Sequence, residues 1–183
     1  FIHVDGKSNK EEFVSKLKKL PKVKILDHSR NVYWGGYSII LATLDLLEAA
    51  YNEDKWDRYV LLQGLDYPIK PNKYIHDFFE SSNEIEFIRA CNISKSNDKY
   101  HLNKIGNFHF YDKINFAKRV FNKLANISPV YFKRTRVSEA GREFDVFWGA
   151  AQWALTRECV EYILEFARSH TEFNHYFKTT ANA

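Results

Sequence analysis

Short apolar runs alternate with longer amphipathic segments through the first half of the chain. A strand buried on both faces reads as a short continuous apolar stretch, and such stretches predict strands at 1–4, 23–26, 59–62 and 86–90. Apolar residues that recur every three or four positions predict helices, and these lie at 8–20, 38–51 and 72–79. This alternation predicts an α/β fold, with a mainly parallel sheet and helices on both of its faces.

The second half of the chain has a weaker pattern. A basic amphipathic helix is predicted at 113–126, with one apolar side formed by Ala117, Val120, Phe121 and Leu124. Such a helix can lie on an anionic membrane or pack on its own domain, and both interpretations remain open. Thr156 is a suitable N-cap for a last helix, whose inward positions are Val160, Ile163, Leu164 and Ala167.

The composition is that of one soluble globular domain over residues 1–183, with 45% apolar and 27% charged residues. No apolar run approaches the roughly 18 residues needed to cross a membrane. Cys91 and Cys159 form neither a CxxC nor a zinc pattern, so we expect two buried thiols in a reducing compartment. The histidines also lack the spacing of metal ligands, and no metal or cofactor is expected.

The net charge of +4 is unevenly distributed along the chain. Between Arg89 and Arg142, 12 Lys or Arg residues face only 3 Asp or Glu residues. A basic segment on a mildly acidic body favours an anionic partner, which could be a phosphate group, a membrane surface or a nucleic acid. Solvated loops and helix faces would give the same composition, and this interpretation also remains open.

Two of the predicted strands end abruptly in an aspartate, Asp5 in one case and Asp66 in the other. The carboxyl ends of neighbouring parallel strands meet at one edge of a sheet, where ligands of α/β proteins bind. A carboxylate at that edge can accept hydrogen bonds from two hydroxyl groups of a ribose or another sugar. The alternative is that each aspartate caps a turn of its own loop.

A second candidate region combines two glycines with aromatic and basic side chains. Gly35 and Gly36 precede a helix start, where they would let a phosphate or sugar approach the helix N–H groups. Arg30 could pair with a diphosphate in the bidentate way that its guanidinium allows. Trp34 and Trp153 could offer flat faces to sugar rings, although tryptophan in a core is the commoner case.

Four blocks of the sequence, in order, resemble the core-2/I-branching β-1,6-N-acetylglucosaminyltransferases and the related peptide O-xylosyltransferases. They are Phe-Ile-His-Val-Asp-Gly-Lys-Ser, Ser-Arg-Asn-Val-Tyr-Trp-Gly-Gly-Tyr-Ser, Leu-Leu-Gln-Gly-Leu-Asp-Tyr-Pro-Ile-Lys and Gly-Ala-Ala-Gln-Trp-Ala-Leu-Thr-Arg. The resemblance implies a GT-A-like fold and an inverting transfer from a UDP-sugar without a metal. N-acetylglucosamine is the commonest donor sugar of that family, and xylose is the next. The segment 89–144 does not match closely.

The resemblance also implies roles for individual residues. The donor-binding set is Val4, Asp5, Arg30, Trp34, Gly35 and Asp66, and the acceptor-binding set is Trp153 and Arg157. In the family a glutamate acts as general base and basic side chains near the C-terminus neutralise the diphosphate. The expected glutamate would follow Ala183, and a first strand would precede Phe1. We therefore expect a chain truncated at both ends, whose 183 residues alone are catalytically inactive.

The expected partners are a UDP-sugar and a carbohydrate acceptor, with a peripheral membrane contact left open and no nucleic acid. We expect a bacterial enzyme of surface polysaccharide synthesis, located in the cytoplasm or at the inner face of the membrane. One alternative is a nucleotide-sugar or carbohydrate-binding module without catalytic activity. The other is a protein that binds an anionic membrane or a nucleic acid through the basic segment 89–142.

Overall fold

The computed structural model describes residues 1–53, 55–113, 115–127 and 137–179, with only the backbone described at 125–127. Its helices are α1 (Lys10–Leu17), α2 (Ser38–Glu53), α3 (Asn72–Glu80), α4 (Lys99–Gly106), α5 (Phe116–Ile127), α6 (Arg157–Ser169) and α7 (Thr171–Phe177). Its strands are β1 (Arg58–Val60), β2 (Ala90–Asn92), β3 (Ser138–Glu139), β4 (Arg142–Glu143), β5 (Phe147–Gly149) and β6 (Ala154–Thr156). The helices predicted at 38–51, at 72–79 and after Thr156 are confirmed as α2, α3 and α6.

The strands of the described residues form three antiparallel pairs, β1 with β6, β2 with β5 and β3 with β4. In the first pair, Tyr59 lies opposite Leu155. An isolated antiparallel bridge also joins Phe87 to Ala154 of β6. The one parallel pairing among the described residues is the bridge between Ile2 and Ile25.

The prediction of a mainly parallel sheet is therefore wrong for the described part of the chain. It assumed that strands separated by one helix lie side by side, as they do in a βαβ unit. Instead, β1 pairs with β6, which follows it by more than half of the chain and runs in the opposite direction. Strand order depends on such long-range pairings, and an alternating apolar pattern does not encode them.

The main core lies where α2 and α6 pack on the β1–β6 pair. Its buried side chains are Leu47, Tyr59, Leu155, Val160 and Leu164. Thr156 ends β6 and caps α6, because its hydroxyl accepts the N–H of Cys159 at 3.2 Å, which confirms the predicted cap. The Glu86 carboxylate accepts the N–H of Thr156 at 2.9 Å and also its hydroxyl proton. These hydrogen bonds join the segment that contains Phe87 to the N-terminus of α6.

Two local expectations are corrected by the structure. The helix predicted from residue 8 begins at Lys10, and Asn9, which precedes it, makes no side-chain capping hydrogen bond. Cys91 is exposed and Cys159 is half-buried, so the two thiols are free but not both buried. Burial, aided by the charge of Glu86, raises the pKa of Cys159 above its ordinary value. Among the described residues, no helix combines the length and apolar character that crossing a membrane requires.

Candidate functional site

Asp5 joins the end of the first chain segment to the loop that carries Arg30. Its Oδ1 accepts the N–H of Lys7 at 2.9 Å and that of Val32 at 3.4 Å, and its Oδ2 lies 3.2 Å from the Lys7 ammonium. Gly6 also donates its N–H to the Arg30 carbonyl at 2.8 Å. Partial burial opposes ionisation, yet the hydrogen bonds from Lys7 and Val32 hold the pKa of Asp5 below its ordinary value. Asp5 is thus an ionised turn-forming residue whose side chain remains 32% exposed.

Arg30 is held by a carboxylate of the protein itself. Its Nη2 donates to Oδ1 of Asp45 on α2 at 2.8 Å, and its Nε donates to Oδ2, so the pair is bidentate. The His28 ring lies 2.9 Å from the same carboxylate, and His3 Nε2 accepts the Arg30 N–H at 2.9 Å. The hydrogen bonds from Arg30 hold the pKa of Asp45 below its ordinary value. The guanidinium predicted to meet a diphosphate is therefore occupied by an internal ion pair.

The Trp34-Gly35-Gly36 turn leads directly into α2. Trp34 is 82% exposed, and Gly35 has a φ of +73°, a left-handed conformation that glycine adopts without strain. Gly36 donates its N–H to the Tyr33 carbonyl at 2.9 Å, which closes the turn. The indole of Trp34 is therefore exposed to solvent, and its contact with a sugar ring stays a prediction.

The N-terminus of α2 already has an anionic partner. Both carboxylate oxygens of Asp112 lie 3.3 Å from the Ser38 N–H, and Oδ1 accepts the Ser38 hydroxyl proton at 2.5 Å. The Ser38 hydroxyl in turn accepts the Tyr33 N–H at 2.9 Å. A Cβ on Gly36 would clash with the same carboxylate. Asp112 therefore occupies the place that the sequence predicted for a phosphate, because a helix N-terminus favours negative charge.

Asp66 belongs to an exposed loop after β1. Its Oδ2 accepts the Gln63 N–H at 2.9 Å, and the Gln152 amide lies 3.3 Å from the same oxygen. Gly64 has a φ of +54° within this turn. The loop also exposes four large apolar side chains, which are Leu62, Leu65, Tyr67 and Ile69. Asp66 is thus a turn-forming residue as well, and it links its loop to the 150–153 segment.

Trp153 and Arg157 both contact residues of the main core. Trp153 packs against the main core, and its carbonyl accepts the Leu61 N–H at 3.1 Å. The Arg157 guanidinium donates to the Tyr59 hydroxyl at 3.1 Å and lies 4.1 Å from the centre of the Tyr51 ring. Arg157 thus contacts side chains of β1 and α2, and the acceptor-binding role that the resemblance implies for it stays a prediction.

The predicted residues therefore form two groups. The first group contains Asp5 and the 30–36 turn, and buried Val4 directly precedes it. The second contains Asp66 and Trp153. An apolar cavity of about 680 Å³ lies beside the second group, because Trp153 contributes to its lining together with Phe1 and Leu62. Asp5, Asp66 and the 30–36 turn do not line it. Most of its remaining lining comes from α2 and β1, so the cavity is a gap under α2 rather than a cleft rich in the polar groups that a nucleotide needs.

Sequence reasoning missed the three polar residues that hold these groups in place. Asp45 is the one charged residue between 38 and 47 of α2, and Asp112 is one of few acids in the basic segment, so both contrast with their neighbours. Gln152 does not contrast in charge with its neighbours, so the sequence did not single it out. No group of three or more His, Cys, Asp or Glu residues that could hold a metal occurs within the described ranges.

Comparison with known proteins identifies one family. The model of the core-2/I-branching enzyme family matches residues 1–181, which is nearly the whole chain. None of the curated proteins matches the chain.

Proposed function

Because the chain belongs to the core-2/I-branching enzyme family and is thus a glycosyltransferase, we propose that it transfers N-acetylglucosamine from UDP to a hydroxyl of a carbohydrate acceptor. Family membership supports a nucleotide-sugar donor and a carbohydrate acceptor. The observation that carries the proposal to individual residues is the contact between Asp5 and the loop that leads to exposed Trp34.

In this proposal, the nucleoside of the donor lies over the first group, and the transferred sugar lies between Trp34 and Asp66. The ionised Asp5 carboxylate keeps part of its surface exposed, and it can accept a hydrogen bond from a ribose hydroxyl. The exposed face of Trp34 suits the flat ring of uracil or the apolar C–H face of a pyranose. Gly35 lets the backbone adopt the left-handed conformation of the turn that follows Trp34.

In this proposal the diphosphate meets Lys7 rather than Arg30. The Arg30 guanidinium is held by both oxygens of the 13% exposed Asp45 carboxylate, whereas Lys7 pairs with a more exposed carboxylate and also donates to the Val32 carbonyl. Lys7 is the cation beside Asp5, with its ammonium 4.5 Å from the centre of the Tyr33 ring. Its side chain is 46% exposed. We assign Arg30 to positioning the 30–36 turn and Lys7 to the donor phosphates, where a lysine acts as a point charge.

The transfer itself follows from the chemistry of inversion. The acceptor oxygen attacks the anomeric carbon from the face opposite UDP, and the bond from that carbon to the UDP oxygen breaks. UDP leaves with the electron pair, while a carboxylate base takes the proton of the acceptor hydroxyl. Asp66 lies on an exposed loop beside Gln152 and is proposed to hold hydroxyl groups of the transferred sugar.

Calorimetric titration with a panel of UDP-sugars, with and without EDTA, tests this function. We expect UDP-N-acetylglucosamine to bind more tightly than UDP-xylose or UDP-glucose, with the same affinity when EDTA is present. Binding that disappears with EDTA would contradict the metal-independent mechanism. Absence of binding to every UDP-sugar would contradict the donor assignment and favour the alternative of a protein that binds anions through segment 89–142.

The proposed location is the cytoplasm. Its support is the presence of two free thiols, one of them exposed, which suits a reducing compartment. Exposure of the purified protein to oxidised glutathione tests the point. We expect Cys91 to form a mixed disulfide readily, whereas an unreactive Cys91 would remove this support.

A further inference from the structure

Helix α5 (Phe116–Ile127) presents two different sides. Phe116, Val120 and Leu124 are spaced by four residues and therefore lie one above the other along the helix. We name these three residues the outer stripe. Their exposed fractions are 82%, 41% and 53%, respectively. The sequence predicted that Ala117, Val120, Phe121 and Leu124 form one side, and the structure divides that set.

The other side of α5 packs on the protein. The Phe121 ring meets the rings of Phe110 and Phe108 edge to face, with centroids 5.3 and 6.4 Å apart. The Asn122 amide accepts the Phe110 N–H at 3.2 Å and donates to the Phe110 carbonyl at 3.3 Å. Lys118 donates to the Asp112 carbonyl at 2.9 Å. These contacts anchor the helix without using the outer stripe.

Exposed basic residues lie close in sequence to the outer stripe. Arg119 and Lys123 are exposed on α5, and Lys113 is exposed just before it. The sequence from 113 to 127 contains no Asp or Glu. Arg119 and Lys123 are four residues apart, so they repel each other on the isolated helix. An anionic partner would convert that repulsion into attraction.

We propose that the outer stripe docks on an anionic lipid bilayer. The three apolar side chains would enter the boundary between headgroups and acyl chains, while Lys113, Arg119 and Lys123 meet the lipid phosphates. A nucleic acid would match the charge, but its phosphate backbone offers nothing that removes Val120 and Leu124 from water. The combination of exposed apolar and basic side chains therefore favours a lipid surface. This inference does not depend on the proposed sugar transfer.

Co-sedimentation with vesicles tests the proposal directly. We expect the protein to bind vesicles of phosphatidylcholine with about 30% phosphatidylglycerol and to remain largely unbound with phosphatidylcholine alone. Raising the salt from about 50 to about 300 mM should reduce the bound fraction several-fold, because it screens the basic residues. Equal binding to neutral and anionic vesicles, or no binding to either, would overturn the proposal.

Two variants separate the apolar and the basic contributions. The double variants Phe116→Ser/Leu124→Ser and Arg119→Gln/Lys123→Gln should each lower binding to anionic vesicles at least fivefold. Both change exposed residues, so their urea unfolding midpoints should stay close to that of the parent protein. The matched control is Lys16→Gln/Lys18→Gln on and just after α1, which removes the same charge and should leave binding unchanged.

Binding to an RNA oligonucleotide tests whether the anionic partner is a nucleic acid instead of a lipid surface. If RNA bound more tightly than the anionic vesicles, and Phe116→Ser/Leu124→Ser left that binding unchanged, the outer stripe would have no role and the lipid proposal would be wrong. A further variant, Val120→Trp, should gain a blue-shifted fluorescence component only with anionic vesicles. An unchanged spectrum would place this position outside the bilayer and contradict the proposed orientation.

Discussion

The Asp112 carboxylate accepts both the backbone N–H and the hydroxyl proton of Ser38, although the two residues are 74 positions apart in the chain. This contact places a negative charge on the N-terminus of α2, which a helix dipole favours. It also fastens the segment before α5 to the Trp34-Gly35-Gly36 turn. A residue outside the four sequence blocks thus supports the geometry of the Trp34-Gly35-Gly36 turn.

The first prediction concerns the stability that Asp112 provides. Asp112→Ala leaves the Ser38 N–H and hydroxyl without their acceptor, and we expect the free energy of unfolding to fall by about 1–2 kcal/mol. Asp112→Asn retains one acceptor oxygen and should cost less. Urea unfolding measures both changes. Glu12→Gln, an exposed change on α1, is the control and should stay within about 0.5 kcal/mol of the parent. An Asp112→Ala protein as stable as the parent would contradict the capping role.

The second prediction uses the close approach of Gly36 to Asp112. In Gly36→Ala the new methyl group meets the carboxylate, and we expect a loss of roughly 1–3 kcal/mol in the free energy of unfolding. Adding Asp112→Ala should recover part of this loss, because the Tyr33 carbonyl is also close. Gly106→Ala is the control, since a Cβ there meets nothing within 4 Å, and it should be neutral. Similar losses at Gly36 and Gly106 would refute the steric explanation.

The third prediction is a pH dependence at Asp45. The folded protein holds the pKa of Asp45 below its unfolded value, so the pair with Arg30 contributes stability above the unfolded pKa. That contribution is lost as the pH falls through the folded pKa. We expect Asp45→Asn to be less stable than the parent at about pH 5, with a difference that shrinks towards about pH 3. Urea unfolding at the two pH values measures this.

A matched surface carboxylate serves as the control for Asp45. Asp77 pairs with Lys73 on α3, but 58% of its side chain is exposed, so its ion pair is well screened. Asp77→Asn should change the free energy of unfolding little at either pH. If the difference between the parent and Asp45→Asn did not vary with pH, the Arg30–Asp45 pair would not be the source of the stability.

The fourth prediction separates the roles of Trp34 and Arg30. Trp34→Ala removes an 82% exposed side chain and should leave the unfolding midpoint nearly unchanged, while weakening UDP-N-acetylglucosamine binding about tenfold. Arg30→Ala should instead lower the free energy of unfolding by roughly 1–2 kcal/mol, because it leaves the Asp45 carboxylate less well paired. Calorimetry and urea unfolding together give both values. A stable Arg30→Ala protein with lost donor binding would instead support direct diphosphate contact by Arg30.

The sequence predicted local elements better than their arrangement. The helix at 72–79 and the Thr156 cap depend on residues close in the chain, and both are confirmed. The prediction of a parallel sheet was wrong because β1 pairs antiparallel with β6, which is distant in the sequence. Neighbours along the chain predict a strand well, but its partner and direction depend on contacts that appear only when the chain is folded.

The candidate site shows the same division. The motifs pointed to Asp5, Trp34 and Asp66, and the structure leaves a part of each side chain exposed. They could not predict that Asp45 holds Arg30 or that Asp112 occupies the α2 N-terminus. Each of those contacts joins residues from separate segments, and only their charge contrast with neighbouring residues gave a signal in the sequence.

The most direct test of the proposed donor site is calorimetric titration of UDP-N-acetylglucosamine into the parent protein, Asp66→Asn and Glu12→Gln. Asp66 lies on an exposed loop, so its substitution should spare the fold while removing a hydroxyl-binding carboxylate. We predict about tenfold or greater loss of affinity for Asp66→Asn and unchanged affinity for Glu12→Gln. Equal affinities for all three proteins, with both variants folded, would contradict the placement of the donor sugar at Asp66.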